Sequence, residues 1–459
     1  MKRYFAQYKS HYRDNLKLAI PVVISQLGHI LVQTSDSIIV GHFAGTIALA
    51  AVALVNSLFI IIMMVGIGIS YGLTPLVAQQ NGKQNFEECG KLLANSLLIN
   101  LFTGAILFTT IYTGAMLLLD HLHQTPEVVA QAKPFLLIMG LSVFPMLIFN
   151  TFKQFTEGLG FTKQAMSISI WGNVINIVVG VILVKGMFGI KPMGVRGAGF
   201  STLTDRCIMA VVMAYYVFKS ANFKKYLVGF KRHFITWARM REILKIGGPV
   251  AMQYTFEVSA FGGAAIIVGT IGAAPQAAHQ VALNLASITY MMASGVSAAA
   301  AIKSGNYFGA KKYTDLRSSA IASYHVVLVF MSVTALLFTL FNRLLPWIYT
   351  SDQQVIGIAA ELLLIAAVFQ LFDGAQVIGL GVLRGMGDVN IPTVITFLAY
   401  WVIGIPVGYV LGLHFGMGVE GVWYGLVAGL LTAAILLYIR FNKISAHHQY
   451  QEQVIIAQD

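Results

Sequence analysis

Long apolar runs recur along the whole sequence, and they restrict what this chain can fold into. A helix needs about 20 mostly apolar residues to cross a hydrocarbon core of ~30 Å. Backbone polar groups in lipid must be paired within their own segment, and the ~10-residue alternation of barrel strands is absent from the sequence. The runs therefore predict transmembrane helices. The twelve runs are 16–41, 48–79, 92–119, 134–156, 165–185, 198–218, 243–269, 277–302, 318–341, 359–382, 392–412 and 421–440.

The composition agrees with a membrane protein and excludes several other classes. Only 10% of the 459 residues are charged and 57% are hydrophobic, whereas a soluble domain has roughly 25% charged residues. The net charge of +12 comes from Lys and Arg that lie between the apolar runs, so no nucleic-acid partner is expected. Two cysteines, Cys89 and Cys207, are too few for a disulfide framework or a thiolate metal site. The charged first fifteen residues predict no cleavable signal peptide.

The distribution of basic residues predicts the orientation in the membrane. If the N-terminus lies inside, the inner segments hold 24 of the 30 Lys and Arg residues and the outer loops hold five. Because inner loops of membrane proteins are enriched in basic residues, both termini are expected in the cytoplasm. The longest basic segment, residues 219–245, separates the sixth run from the seventh.

A duplication divides the sequence into two halves of six runs. Leu-Lys-Leu-Ala-Ile-Pro at 16–21 recurs as Leu-Lys-Ile-Gly-Gly-Pro at 244–249, and the Gly-Leu-Gly at 158–160 recurs as Gly-Met-Gly at 385–387. An even number of spans makes the copies parallel repeats, with substrate sites between them. The sequence thus predicts an all-α membrane protein of twelve transmembrane helices in two six-helix lobes, which favours a transporter. The expected segments are an N-terminal lobe (1–218), a basic cytoplasmic linker (219–242), a C-terminal lobe (243–440) and a cytoplasmic tail (441–459).

Three acidic residues, Asp36, Glu257 and Asp373, lie well inside the runs. A charge at bilayer depth costs at least ~2.5–3.5 kcal/mol on insertion scales. Each acid is either a structural, hydrogen-bonded carboxylate or a group that holds protons, metal ions or cationic substrates. No basic residue is expected at clearly comparable depth to neutralise them, and this favours the second interpretation.

Other polar residues lie on the same helix faces as these acids. Each acid has a glutamine three or four residues away, and Asp36 follows three polar residues at that spacing. Such a face either lines a wet cavity or makes interhelical hydrogen bonds worth ~1 kcal/mol each. The residues predicted to line a cavity are Gln26, His29, Gln33, Gln253, Asn284 and Gln370.

The remaining intramembrane polar residues are ambiguous. Tyr290 could offer its aromatic face to a cation, although a lone tyrosine is more often a packing residue or an interfacial anchor. His29, His279 and His325 are each more typical of hydrogen-bonded interior histidines than of ligands.

Enzyme signatures are absent from the sequence. There is no His-Glu-x-x-His, no Cys-x-x-Cys and no phosphate loop, which excludes zinc hydrolysis and ATP-driven pumping by this chain. Uphill transport would therefore use an ion gradient. The adjacent Asp205 and Arg206 in the sixth run receive no role from the sequence.

A resemblance to a known family rests on the duplicated halves, on Thr34-Ser-Asp36, on Glu257, and on Asp373 twelve residues before the Gly-Met-Gly at 385–387. These features resemble the multidrug and toxic compound extrusion (MATE) family. The resemblance covers about residues 10–440 and is closest to the NorM branch. It implies two lobes around a central cavity, in which inward flow of Na+ or H+ drives export of cationic aromatic drugs. It implies no cofactor beyond the coupling ion.

The resemblance also implies roles for residues of the C-terminal half. Glu257 and Asp373 are similar to the carboxylates of the family's cation site, where Na+ is the expected metal. Tyr290 matches an aromatic residue beside that site, and Asp352 matches an acidic position in the loop before the tenth run.

In the N-terminal half, Asp36 resembles the carboxylate of the family's N-terminal lobe. The resemblance implies Asn176 and Thr202 as its partners in binding a cation, a proton or substrate. The NorM pattern has a second Asn one turn beyond Asn176, and this chain has Gly180 there. The repeat pairs Asp36 with Ala264, so the two lobes carry non-equivalent acids.

Together these observations predict a cation-coupled multidrug antiporter of a bacterial inner membrane. A monomer in the lipid bilayer, without enzyme activity, is expected. Two rivals remain. A flippase for lipid-linked saccharides would carry an anionic pyrophosphate and need basic groups in its cavity, and a prenyl-phosphate type enzyme would need Asp-rich loops. The second rival class also includes a membrane protein that acts only as an interaction scaffold.

Overall fold

The computed structural model describes residues 8–121 and 125–458, the last six of these by their backbone alone. Every regular element in this part of the chain is a helix. Twelve of these helices are long, and each covers one predicted run to within one residue. They are α1 (Lys9–Ala44), α2 (Thr46–Gly82), α3 (Phe86–His121), α4 (Pro126–Gly158), α5 (Thr162–Lys185), α6 (Val195–Lys219), α7 (Trp237–Ile271), α8 (Ala273–Gly309), α9 (Tyr313–Leu340), α10 (Gln353–Gly385), α11 (Asn390–His414) and α12 (Gly418–Gln458).

Eleven helices of the described chain are long and apolar enough to cross a membrane. The twelfth long helix, α6, has 25 residues and is long enough. Its apolar sequence is interrupted by the adjacent Asp205 and Arg206. The all-helical membrane fold predicted from the sequence is thus confirmed for the described residues.

Four of the long helices contain local breaks. A turn at Tyr71 and Gly72 divides α2, and Ser142 divides α4. Segments with π-helical hydrogen bonding occur in α3 and α11, and such segments in helices are frequent at functional sites. The pieces are Thr46–Ser70 and Leu73–Gly82 in α2; Phe86–Thr110, Ile111–Ala115 (π) and Met116–His121 in α3; Pro126–Leu141 and Val143–Gly158 in α4; Asn390–Phe397, Leu398–Gly404 (π), Ile405–Tyr409 and Val410–His414 (π) in α11. Short helical turns are Ala221–Phe223, Lys224–Leu227, Arg232–Phe234 and Leu344–Trp347.

The chain divides into two compact units that do not follow the order of the sequence. Unit 1 contains residues Met1–Val23 and Met252–Asp459, and unit 2 contains Ile24–Ala251. Helices α1 and α7 each cross from one unit to the other. The crossings lie 228 residues apart, as do Pro21 and Pro249, the prolines inside these two helices. The crossings are therefore related by the sequence repeat, while the lobe boundaries predicted from the sequence remain a prediction.

Small residues allow close packing of helices inside unit 1. A Cβ atom at Gly425 of α12 would overlap the backbone of Gly408 in α11, and one at Gly429 would lie 2.7 Å from the Ala399 carbonyl. Lipid tails are as apolar as leucine, so helices in a membrane gain more from close contact than from burial of apolar surface. The Gly-x-x-x-Gly of α12 accordingly lies at the α11–α12 contact.

The predicted linker is a folded part of unit 2. Tyr226 donates a 2.9 Å hydrogen bond to Oδ1 of Asn81, and the backbone N–H of Thr236 donates one to Oδ1 of Asn95. Burial raises the pKa of the Tyr226 hydroxyl to about 12, so it remains a donor at physiological pH. A Cβ at Gly90 would overlap the Tyr226 carbonyl, and one at Gly229 would overlap the Glu87 carbonyl. The linker backbone therefore lies directly against the start of α3.

The described part of the predicted tail continues α12 as a helix. Glu452 accepts hydrogen bonds from the backbone N–H and the hydroxyl of Thr314 at 2.9 and 3.1 Å. Arg317 donates to Ser445 at 2.6 Å. These contacts attach the end of α12 to the first turns of α9 within unit 1.

Candidate functional site

Two acids come together in unit 1 on helices α7 and α10. Glu257 and Asp373 are buried, with 6% and 3% of their surfaces exposed, and their carboxyl groups interact electrostatically. The carboxyl group of Glu257 lies within hydrogen-bonding reach of the hydroxyls of Tyr290 and Tyr400. The structure thus brings together three residues that the sequence selected, and it adds Tyr400.

Tyr400 belongs to the π segment of α11 and is fully buried. Its hydroxyl donates a 2.9 Å hydrogen bond to Oε1 of Gln376. Gln376 lies one turn after Asp373 on the same face of α10, because residues three apart in a helix are neighbours. The cluster in unit 1 therefore consists of two carboxylates, two tyrosine hydroxyls and a buried amide.

Several buried polar atoms in this cluster and on the preceding turn of α10 lack a hydrogen-bond partner in the described residues. They are Oδ1 of Asp373 and the side-chain nitrogens of Gln370 and Gln376. Gln370 does accept a 2.8 Å hydrogen bond from Thr334. A buried acceptor without a donor costs about 1–3 kcal/mol, so Oδ1 of Asp373 would gain from a proton or a cation.

The donor set of the cluster consists of oxygen and amide groups. The described residues contain no group of three or more His, Cys, Asp and Glu that could hold a metal ion. Carboxylate, hydroxyl and amide oxygens are hard ligands, which suit a hard cation better than a metal that prefers sulfur or imidazole ligands.

One basic residue, Arg384 of α10, lies near the acids of unit 1. Arg384 interacts electrostatically with Glu257, and its guanidinium lies 5.8 Å from the centre of the Tyr254 ring. Arg384 is partly buried near the end of α10, 11 residues and about 16 Å along the helix axis from Asp373. The cluster therefore combines two acids with one nearby arginine.

A second polar cluster occupies unit 2, around Asp36 of α1. Thr202 of α6 donates a 3.4 Å hydrogen bond to Oδ2 of Asp36, and Asn176 of α5 donates one to Thr202 at 3.2 Å. Asn176 and Thr202 are buried, with 0% and 6% of their surfaces exposed, and Asp36 is partly buried. No described residue pairs with Oδ1 of Asp36 or Oδ1 of Asn176. The three residues selected from the sequence thus form one hydrogen-bonded chain.

Two basic residues lie within helices of unit 2, Lys153 buried and Arg206 partly buried. Arg206 interacts electrostatically with Asp36. Lys153, assigned from the sequence to an inner loop, lies within α4 with 4% of its surface exposed. It pairs at 3.9 Å with Glu157 one turn later, and it donates a 3.3 Å hydrogen bond to Ser25. Both bases are held by acids or hydroxyls of the same unit.

Gly180 leaves space where the related pattern has an asparagine. A Cβ at this position would meet the Ser201 hydroxyl at 3.4 Å and Ile39 at 3.6 Å, which are ordinary contacts. Gly180 lies one turn beyond Asn176 on α5, so an amide there would face the same cluster. The chain therefore has fewer oxygen ligands in unit 2 than the pattern it resembles.

The other candidates lie outside these two clusters. Gln253 is buried and donates to Thr393 at 2.9 Å, so it bonds α7 to α11. Asn284 is exposed and accepts a 3.1 Å hydrogen bond from Gln280. Gln33 is exposed as well, whereas Gln26 and His29 are partly buried.

Asp352 lies at the start of α10, in the loop position that the sequence assigns to it. It is exposed at the start of α10, where Oδ1 accepts hydrogen bonds from the backbone N–H groups of Gln354 and Val355 at 2.9 and 3.4 Å. These contacts make Asp352 the N-cap of α10. The structure does not bring it to Glu257 and Asp373.

Tyr400, Gln376 and Arg384 were missed by the sequence interpretation. Gln376 continues the spacing of three that already connected Gln370 with Asp373, so the same reasoning extended by one turn would have found it. Tyr400 gave a weaker signal, namely a tyrosine in the middle of an apolar run. Arg384 was counted with the inner loops because it closes the tenth run.

Comparisons with known proteins agree with the duplicated fold. The MatE family model matches the chain twice, over residues 21–182 and 249–410. The chain is 33% identical to the multidrug resistance protein MdtK of Yersinia enterocolitica, over 94% of this chain and 95% of that protein. It is 31% identical to the probable multidrug resistance protein NorM of Bacillus subtilis, over 96% of this chain and 97% of that protein.

The crystal structure of the eukaryotic MATE transporter AtDTX14 is similar in fold, with a TM-score of 0.86 and 20% identity, over 97% of this chain and 99% of that chain. The two family matches begin 228 residues apart, which confirms the duplication.

Proposed function

The chain belongs to the MatE family of membrane transporters, and from this premise we propose that it is a multidrug efflux antiporter of a bacterial inner membrane. It exports cationic aromatic compounds in exchange for inward Na+ or H+ and acts as a transporter without enzyme activity. The names of the relatives MdtK and NorM support the drug export. Both termini face the cytoplasm, in agreement with the distribution of basic residues.

The observation that carries the proposal is the pair of buried acids in unit 1. Oδ1 of Asp373 has no hydrogen-bond partner in the described residues, and the neighbouring Glu257 carries a second carboxylate. Two ionised carboxylates repel each other in a site of low dielectric constant. A cation or proton between them removes this repulsion and allows the site to be closed from water.

Exchange follows if the coupling ion and the drug stabilise different states of the transporter. Na+ or H+ captured by Glu257 and Asp373 favours one state, and a lipophilic cation that competes for the same negative charge favours the other. Each net elementary charge that moves inward per transport cycle, after the charge of the exported cation is subtracted, gains ~2.3 kcal/mol per 100 mV of membrane potential. That energy raises the concentration ratio of an exported compound by about fiftyfold.

Ethidium efflux from vesicles tests this proposal. An inward Na+ gradient at clamped pH should drive efflux, and Glu257→Gln should abolish it while the protein stays folded. Glu361→Gln is a matched control, because Glu361 is an exposed glutamate on the same helix as Asp373. Wild-type efflux in the Glu257→Gln protein would contradict the proposed site.

The identity of the coupling ion decides between two forms of the same proposal. We expect Na+ because of the Glu257, Asp373 and Tyr290 set. Efflux that ignores Na+ but follows an imposed pH gradient would assign the coupling to protons. No efflux under either gradient would favour a flippase for anionic lipid-linked saccharides. Lys153 and Arg206 give that rival little support, because acids of unit 2 already accompany both.

A further inference from the structure

Asp205 is a buried acid in unit 2 that has no partner assigned so far, and the fold makes room for it. It lies on α6 with 4% of its surface exposed, and no described group pairs with its Oδ1 atom. A Cβ at Gly172 of α5 would overlap this oxygen and would also collide with Met209. Helix α5 therefore needs glycine at this position so that the carboxylate of Asp205 can lie between the two helices.

Arg206 next to it is a positive charge held in place by neighbouring helices. Its Nη1 atom donates a 2.7 Å hydrogen bond to Ser142, the residue at which α4 is broken. Ser142 in turn donates to the Met139 carbonyl at 2.6 Å. The guanidinium lies 5.3 Å from the centre of the Phe59 ring on α2. Contacts with both α2 and α4 fix the guanidinium and prevent it from swinging away.

Both residues belong to the surroundings of Asp36. Thr202, the hydrogen-bond donor to Asp36, precedes Asp205 by three residues and Arg206 by four, so all three project from adjacent positions of α6. Asp205 and Arg206 both interact electrostatically with Asp36. The other titratable groups nearby are His29 of α1 and Lys153 of α4, and Glu157 accompanies Lys153.

We propose that Asp36, Asp205 and Arg206 form a single site in unit 2 that takes up one organic cation, in competition with protons. Two acids and one fixed arginine leave a net charge of −1, which one monovalent cation neutralises. Asp205 is the second acid of the site, and Arg206 is the positioning residue that sets its charge. Asn176, whose buried Oδ1 atom has no partner among the described groups, supplies a neutral oxygen.

Unit 1 has the same charge composition from different residues. Glu257 and Asp373 are accompanied by Arg384, as Asp36 and Asp205 are by Arg206. Asp205 and Arg206 are not the sequence-repeat counterparts of the unit 1 residues. In unit 1 the arginine is the more distant group, since Arg384 follows Asp373 by 11 residues, about 16 Å along α10.

Neutralising one charge at a time provides the test. The choice of ethidium as the probe rests on the proposed function. Asp205→Asn changes the net charge of the site to zero, and Arg206→Gln changes it to −2. If Asp205 and Arg206 set the charge of the site, these two substitutions should change the affinity for ethidium in opposite directions. At pH 9, where protons compete least, Asp205→Asn should weaken binding at least ~10-fold and Arg206→Gln should strengthen it, because one unit charge within the protein is worth several RT. Arg206→Lys, which keeps the charge, should remain near the parent, and Asp205→Asn/Arg206→Gln should return to it.

Binding is measured by ethidium fluorescence with the purified full-length protein in Na+-free buffer. The parent carries Glu257→Gln and Asp373→Asn, so that unit 2 provides the response. A purely structural pair would instead give losses of the same sign in both single variants, parallel to their thermal stability, and would overturn the proposal. Absence of ethidium binding to the parent would overturn it as well. Because no gradient is used, these results are independent of whether the wild-type protein transports.

Discussion

Asp352 and Asp373 lie on the same helix, α10, but 21 residues apart, which corresponds to about 31 Å along the helix axis. A single cation cannot contact both carboxylates. One of them caps the helix, and the other lies buried beside Glu257. An acidic position that matches a family pattern therefore need not share the site of the other acids.

Asp352→Asn should leave Na+-driven ethidium efflux within about twofold of wild type, because asparagine caps a helix as well as aspartate does. Asp373→Asn should remove the Na+ dependence. Efflux rates are measured over a series of Na+ concentrations in vesicles. An equal increase of the half-maximal Na+ concentration in both variants would place Asp352 on the path of the ion.

Tyr400→Phe should raise the half-maximal Na+ concentration for efflux by about threefold to tenfold. The substitution removes the 2.9 Å hydrogen bond to Gln376 and a hydroxyl within reach of Glu257, and one such bond contributes about 1 kcal/mol. Tyr409→Phe on the same helix is the control, because Tyr409 is 53% exposed. If the two variants behave alike, the hydroxyl of Tyr400 has no part in ion binding.

Gly172 and Gly180 on α5 should respond in opposite ways to alanine. Gly172→Ala should lower the free energy of unfolding by about 1–3 kcal/mol, because its Cβ overlaps Asp205 and Met209. Gly180→Ala should be neutral or gain up to about 1 kcal/mol, because its Cβ has ordinary contacts and alanine favours the helix. Thermal unfolding in detergent measures both. Equal destabilisation would mean that α5 and α6 pack differently from this structure.

Gly90→Ala should detach the linker from the start of α3, because its Cβ would overlap the Tyr226 carbonyl. Trypsin should then cleave several times faster near Lys231 and Arg232. Gly248→Ala is the control, since its Cβ meets nothing within 4 Å. Unchanged cleavage of the Gly90→Ala protein would show that the linker is not held by this contact. The digestion is carried out on the native protein, and the fragments are followed by gel electrophoresis.

Lys153→Met should cost about 3–5 kcal/mol, because it leaves Glu157 buried without its basic neighbour. Adding Glu157→Leu to the same protein should recover most of the loss, since an apolar pair of similar volume avoids the buried charge. The yield of monodisperse protein and the midpoint of thermal unfolding measure both variants. A double variant no better than Lys153→Met would refute a simple ion-pair role.

Helix positions, the duplication and the three acids within the apolar runs could be predicted from the sequence because each depends on local composition. Long apolar runs dictate helices in lipid, and an acid inside such a run is visible without a structure. The hydrogen-bonded chain of Asp36, Thr202 and Asn176 was also identified, although there the family resemblance supplied the pairing.

Interactions between distant segments could not be predicted. The depth of Arg206 depends on which helices surround it, since its partner Ser142 lies 64 residues away in the sequence. The approach of Tyr400 to Glu257 depends on packing between α11 and α7. The contacts of the linker depend on glycines at positions 90 and 229, whose importance appears only when the two backbones are seen together.

The exchange of α1 and α7 between the two units limits how the duplicated halves can exist apart. A chain cut in the linker would give a first fragment that lacks residues 237–251 of unit 2 and carries residues 8–23 of unit 1. The second fragment would have the reciprocal deficit. Neither half is then an autonomous folding module, and each can be completed only by its counterpart. Two separately expressed halves should therefore be unstable alone and rescue one another when produced in the same cell.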